Sequence, residues 1–174
     1  YYYSLANEMG VDVMHEQLGP MGFGRKTGID LDGEVTGLLP STAWKKKAYK
    51  RPEQKQWYAG ETISLGIGQG YNSFTMLQMA SAMATLSAGG KRYEPRLVRE
   101  TEHVTTHART RVSGREIDPL PFDPAHVDVV LRAMHGVTQE GTSTRVFMGA
   151  GYQSGGKTGT AQAVGVRQNE KYNA

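Results

Sequence analysis

The chain has 174 residues, no cysteine, 20 basic and 17 acidic side chains, and a formal net charge of +3. That length suits one domain with a sizeable core; the missing thiols exclude disulfides and cysteine-based zinc sites, and the charge excess is too mild to mark a nucleic-acid binder. No apolar run approaches the roughly 20 residues of a membrane span, and the opening YYYSLANEMG does not begin with Met and carries no basic leader, so both ends read as cut from a longer protein.

Tyr2, Leu5, Ala6 and Met9 recur at helical spacing, which predicts a helix tail ended by Gly10. Asp12 is then placed to cap a short helix from Val13 to about Leu18. The stretch LGPMGFGRKTGIDLDGEVTG holds six Gly and one Pro, the mark of a long irregular connection. Residues 44–55, WKKKAYKRPEQK, contain six basic residues and read as a solvated surface face. Gly66-Ile67-Gly68-Gln69-Gly70 lacks the G-x-G-x-x-G spacing and a surrounding βαβ unit, so it reads as a tight turn feeding the next helix.

That helix has the clearest signals. Thr75 sits three before Gln78, the spacing of a capping box, and Phe74 and Met79 stand where a hydrophobic staple would lie. Met76, Met79, Met83 and Leu86 make one apolar stripe that predicts core packing, and Gly89-Gly90 supplies the left-handed stop. YEPRLVRETEHV follows as a strand, and TRVSGREI as a hairpin around Ser113-Gly114. Asp123-Pro124 opens a second helix whose buried stripe is Val127, Val130, Leu131 and Met134. A loop over GTSTRVFMGAGYQSGG leads to a strand around 156–164. The five histidines show no metal-ligand spacing, so no metal or other cofactor is expected; His126 and His135 are assigned to the outer side of their helix.

Two features could carry chemistry. Ser154 precedes Lys157 by three, the spacing of a nucleophile and its base on one helical turn. The intervening residues are Gly155 and Gly156, each about 1 kcal/mol poorer than Ala in a helix, so Ser154 is not expected to be a nucleophile. Lys157-Thr158-Gly159-Thr160 makes better sense as a strand, with Lys157 and Gly159 on one face and Thr158 and Thr160 on the other. A cation, two hydroxyls and open backbone amides suit a carboxylate-bearing ligand, and Gly in a strand often marks close approach by one.

KTGTAQ at the end, GIGQGY followed by LQMA in the middle and TGIDLDGE early, in this order, resemble the penicillin-binding transpeptidases. The stretch WYAGETISLGIGQGYNSFTMLQMA resembles the class B, elongation-type D,D-transpeptidases of Gram-negative bacteria; septal relatives usually carry Tyr where Gln69 stands. The family's motif set is S-x-x-K, S-x-N and K-T-G, and only the third has a credible match here, over 157–159. The resemblance implies an α+β fold: residues 1–174 as part of a single transpeptidase domain of the β-lactamase/transpeptidase type, helices on a mixed sheet, without the nucleophile's helix and the last strands. It implies a serine that attacks the D-Ala-D-Ala bond of peptidoglycan stem peptides, forms an acyl-enzyme, passes it to a neighbouring stem's amine, and is acylated by β-lactams. Lys157 would line the active-site wall, Thr158 and Thr160 would bind the terminal carboxylate, Gly159 would leave room for the peptide, and the Thr160 N–H would form half of an oxyanion hole. Implied partners are stem peptides, β-lactams and elongation-complex membrane proteins including a glycosyltransferase, with no nucleic acid. The implied location is the periplasmic face of the inner membrane, with an anchor outside this chain. Other readings are a β-lactamase or β-lactam sensor, against which GIGQGY argues, and a non-catalytic cell-wall module using the basic run at 44–55.

Overall fold

The computed structural model describes residues 1–159. Two compact units divide the chain, Tyr1–Ala133 and the residues from Met134 onward. The first opens with helix α1 (Tyr2–Leu18), which is broken at Gly10, whose φ of 75° and ψ of 159° are non-helical. Glycine adopts that conformation without the Cβ penalty other residues meet, so the predicted stop stands as a kink between two helical halves. Asp12 caps a different helix from the one expected. Its carboxylate accepts from the Thr42 amide at 2.8 Å and the Thr42 hydroxyl at 2.7 Å, at the start of α2 (Thr42–Ala48). The Thr42 hydroxyl is the main reason the Asp12 carboxyl lies below its ordinary range. Ser41 completes that start by accepting from Trp44 N.

A single turn, α3 (Pro52–Lys55), precedes α4 (Ala59–Leu65), which the glycine and β-branched residues of AGETIS concealed in the sequence. Glu61 accepts from Tyr58 N at 2.9 Å and so satisfies an amide at the start of α4. The G-x-G-x-G stretch is the expected tight turn: Gly68 N and Gln69 N bond back to Leu65 O and Ser64 O, and Gly68 and Gly70 take positive φ.

Helix α5 (Met76–Ser87) carries the predicted capping box, Gln78 N to Thr75 Oγ1 at 3.1 Å and Thr75 N to Gln78 Oε1 at 3.0 Å. Its buried face differs from the expected one. Met76, Met79 and Met83 are exposed, whereas Gln78, Ala82 and Thr85 are buried. These three share a helix face at i, i+4 and i+7. Polar bonds select it: Gln78, 1% exposed, donates its two amide protons to Arg25 O at 2.6 Å and Thr36 O at 2.7 Å. A buried carboxamide is tolerable only when so paired, and the pairing pins the glycine-rich connection to α5.

Helices and small sheets make up the expected α+β fold, and among the described residues the strands form two short ribbons. Strand β1 (Arg92–Tyr93) pairs antiparallel with β4 (Glu116–Ile117), and β2 (Glu100–Glu102) pairs antiparallel with β3 (Arg109–Arg111), as two separate ribbons. The predicted strand over 93–104 is divided around Pro95, whose missing N–H cannot serve a ladder. The turn is at 103–108 instead of Ser113-Gly114. His103 Nδ1 accepts from Thr105 N and Thr106 N, and His107 takes a φ of 55°. All six residues of β2 and β3 are exposed, so this ribbon offers no apolar face for a larger sheet to pack on.

Helix α6 (Pro124–Gln139) starts as predicted, with Asp123 Oδ1 accepting from Ala125 N at 2.8 Å. Val127 is buried but Val130 is exposed, so the buried stripe is narrower than expected. His126 is exposed, as assigned. Beyond α6 the predicted loop contains one helical turn, α7 (Thr144–Phe147). Among the described residues no helix is long and apolar enough to cross a membrane.

Candidate active site

The segment leading into the Lys-Thr-Gly motif is held by the last turns of α6. The carbonyl of Ser154 accepts from His135 Nδ1 at 2.9 Å and from Thr138 Oγ1 at 2.7 Å. Two residues on, Gly156 N donates to Met134 O at 3.0 Å. Thr138 is 3% exposed, so its hydroxyl needs partners, and Ser154 O and His135 O supply them. His135 is therefore an inward anchor and not the outer-face residue the helix pattern suggested. The i+3 relation of His135 and Thr138 puts both on one face, which is the signal that could have revealed them.

Past this anchor the chain is open. Lys157, Thr158 and Gly159 are exposed, and Lys157 Nζ donates to Thr158 O at 2.7 Å. Residues 156–159 form no strand, contrary to expectation; the remainder of the predicted strand, 160–164, and Thr160 with it, lie outside the described residues. A strand needs a neighbouring ladder, and from Met134 to Gly159 the described chain is helix, turn and loop. What is present is an accessible ammonium and an accessible hydroxyl next to each other, able to meet an anionic ligand.

Within the first unit the basic run at 44–55 holds a surprise. Lys46, Lys47, Lys50, Arg51 and Lys55 are exposed as predicted, but Lys45 is 2% exposed. Its ammonium is ion-paired with Glu61, donates to Gln56 O at 2.7 Å, and lies 5.4, 5.3 and 5.6 Å from the ring centres of Trp57, Tyr58 and Tyr71. Burial opposes ionisation of Glu61, but donors from Lys45, Tyr58 N and the Tyr71 hydroxyl hold its carboxyl below the usual range. The Tyr71 phenol is held above its ordinary value by the Tyr49 side chain, by burial and by Glu61. The cluster ties α2 to α4 and to the turn at 66–71. No group of three His, Cys, Asp or Glu suited to a metal occurs among the described residues.

A family model described as "Penicillin binding protein transpeptidase domain" matches residues 1–174. Peptidoglycan D,D-transpeptidase MrdA of Salmonella typhimurium is 40% identical over 176 residues, covering 100% of this chain and 28% of that protein. The MrdA of Escherichia coli K12 is 35% identical over 184 residues, covering 100% and 27%. The crystal structure of Pseudomonas aeruginosa PBP2 in complex with WCK 5153 superimposes with a TM-score of 0.76 at 35% identity, over 94% of this chain and 36% of that one. PBP2 from Helicobacter pylori in its complex with MreC gives a TM-score of 0.76 at 28% identity, over 93% of this chain and 28% of that one. The chain thus spans 28% or less of the length of these curated relatives.

Proposed function

This chain belongs to the penicillin-binding protein transpeptidase domain family, and from that premise we propose that it is the Lys-Thr-Gly-bearing part of a peptidoglycan D,D-transpeptidase acting in cell elongation. The observation that carries the reading is the placement of the motif: α6 holds Ser154–Gly156 by three hydrogen bonds and leaves Lys157 and Thr158 open to a ligand.

In the proposed reaction a serine Oγ, supplied by the part of the protein outside this chain, attacks the carbonyl carbon of the penultimate D-Ala of a stem peptide. The amide C–N bond breaks, the amine takes a proton, and D-Ala leaves. The amine of a neighbouring stem then attacks the acyl ester, forms the cross-linking amide and frees the serine. Lys157 would place positive potential beside the substrate's terminal carboxylate, and Thr158 would donate its hydroxyl to it. Thr160 would add a second hydroxyl and one backbone N–H at the developing oxyanion, where preorganised donors act most strongly. A β-lactam would acylate the same serine.

The side chain of Ser154 has no part in this chemistry. Its carbonyl is engaged by α6, and the Lys157 ammonium turns to Thr158 O. The elongation role draws support from similarity to MrdA proteins, and an MreC-like partner from the Helicobacter pylori complex. We place the protein at the periplasmic face of the inner membrane, with its anchor elsewhere in the polypeptide. The cell-wall-module alternative is weakened because Lys45, one of its six basic residues, is buried in an ion pair.

The test compares the intact protein with residues 1–174 alone, each incubated with a fluorescent penicillin and weighed by intact-protein mass spectrometry. The intact protein should form a stoichiometric adduct that slows in Lys157→Ala, and the isolated piece should form none. An adduct on residues 1–174 that disappears in Ser154→Ala would overturn the assignment.

A further inference from the structure

Between the turn that follows α1, the flank of α5 and the β1–β4 ribbon lies a cavity of about 160 Å³ whose wall includes Arg25, Lys26, Arg92, Thr27, Ser81 and Tyr93. Three cations line it and no carboxylate does. Glu34 and Glu94, in the adjoining segments, are engaged with other groups, and Asp118 acts on Arg92 less than burial or Arg25 does. Glu34 accepts from Thr27 N and Thr27 Oγ1, both at 2.6 Å, and from Gly28 N at 3.2 Å. Glu94 is paired with Arg115 at 3.2 Å. Arg25 is held in place by Gly19 O at 2.8 Å and Pro20 O at 3.2 Å, and Arg92 reaches Asp118 O at 3.4 Å. These carbonyls orient the guanidiniums without neutralising them.

We propose that this cavity binds a phosphoryl group, the dianionic end of a larger ligand. Guanidinium forks match phosphate oxygens in pairs, and Lys26 adds a point charge. A phosphate ester carries about −1.5 to −2 at neutral pH, which offsets most of three positive charges, whereas a carboxylate would leave two uncompensated. A cavity of about 160 Å³ is large enough to take a phosphoryl group. The charges around Arg92 also favour an anion. Burial first, and then the charge of Arg25, lower the affinity of Arg92 for its proton, and the opposing pull of Asp118 is the smallest of the three influences. A bound dianion would offset the charge of Arg25 on Arg92.

The experiment titrates the intact protein with inorganic phosphate by calorimetry, with acetate at matched ionic strength as control. Phosphate should bind with one-to-one stoichiometry and acetate at least about tenfold more weakly. Arg92→Gln should weaken phosphate binding at least about tenfold, the usual effect of losing a hydrogen bond to a charged group. Lys26→Gln, at an exposed position where folding is safe, should weaken it about threefold. Without phosphate, Arg92→Gln should melt at or above the temperature of the parent, because a repulsion has been removed; a purely structural arginine would give the opposite. Glycerol phosphate and a short-chain phosphatidic acid, both phosphomonoesters, separate the two sources of such a group, the tighter binder marking a soluble ester or a lipid headgroup. Absence of phosphate binding, equal binding of acetate, or full binding by both variants would overturn the proposal.

Discussion

Replacing Lys45 by Met tests the most consequential contact in the first unit. Methionine keeps an unbranched stem among Trp57, Tyr58 and Tyr71 but removes the charge. Glu61 would retain Tyr58 N at 2.9 Å and the Tyr71 hydroxyl at 3.0 Å, while Gln56 O would lose its donor. Removing one member of a buried pair costs about 3–5 kcal/mol. The Lys45 and Glu61 side chains are 3% and 22% exposed, so water can partly rescue the stranded carboxylate and the lower end applies, about 3 kcal/mol for Lys45→Met. Glu61→Gln should cost more, because it strands the deeper charge even though Gln can still accept from Tyr58 N. The double variant should recover much of the loss, since replacing both partners removes the unpaired charge. The dependence on pH has a definite sign. The folded-state value for Glu61 is lowered, so its contribution is present above the ordinary value near 4.3 and is lost as pH falls through the folded value. The gap between parent and Lys45→Met should therefore close in acid. Urea denaturation of the intact protein, followed by tryptophan fluorescence at pH 7 and pH 3, measures this. A gap under about 0.5 kcal/mol at pH 7, or one unchanged at pH 3, would refute the reasoning.

Thr75→Ala should destabilise the protein by about 1 kcal/mol through loss of the α5 cap, read as a shift in the denaturation midpoint with no change in slope. Thr158→Val keeps volume and removes a hydroxyl; at about 1.5–3 kcal/mol for a hydrogen bond to a charged group, acylation of the intact protein by penicillin should slow roughly ten- to hundredfold. Lys157→Ala should be slower still, and parental rates in both would remove this segment from the substrate wall. Asp30 accepts from Leu97 N at 2.6 Å and Val98 N at 3.1 Å, and the Leu97 amide is the main reason its carboxyl lies below the ordinary range. A lowered folded value means the clasp holds above about pH 4 and is lost in acid, so residues 95–117 of the parent should become protease-sensitive only in acid, and Asp30→Asn should bring that sensitivity to neutral pH.

Local chemistry made part of this fold readable. The kink at Gly10, the Thr75–Gln78 box and the Asp123-Pro124 start each depend on residues within four positions of one another, and each was found in the structure. The failures share one cause, which is that long-range polar partners chose the buried face. On α5 the methionines form the more apolar stripe, yet Gln78 faces inward because Arg25 O and Thr36 O, 53 and 42 residues away, need donors there. Lys45 looked like one more exposed charge in a basic run until Glu61, 16 residues on, brought its carboxylate to it. The ribbon at 100–111 was misread because its turn contains no glycine; a histidine side chain takes the amides that turn chemistry would otherwise satisfy. The motif itself was legible as residues, and family resemblance supplied their roles, but periodicity could not say whether 156–159 would lie in a ladder.

Ser154 is where the two kinds of information meet. In the sequence its spacing from Lys157 suggested a nucleophile with its base, and the two glycines between them argued against a helical turn. The structure gives those glycines a use: Gly156 N bonds to Met134 O, and the Ser154 carbonyl takes two donors from α6, filling both of its lone-pair positions. A carbonyl so occupied cannot also accept from a neighbouring strand at that residue. Any ladder that includes Lys157 must therefore do without Ser154 O and Gly156 N, which α6 holds. Register matters here because a shift of one residue exchanges the faces of Lys157 and Thr158. On the proposed mechanism such a shift would turn the hydroxyl away from the substrate carboxylate. On that mechanism His135 and Thr138 would act on the chemistry through backbone position, without touching the substrate.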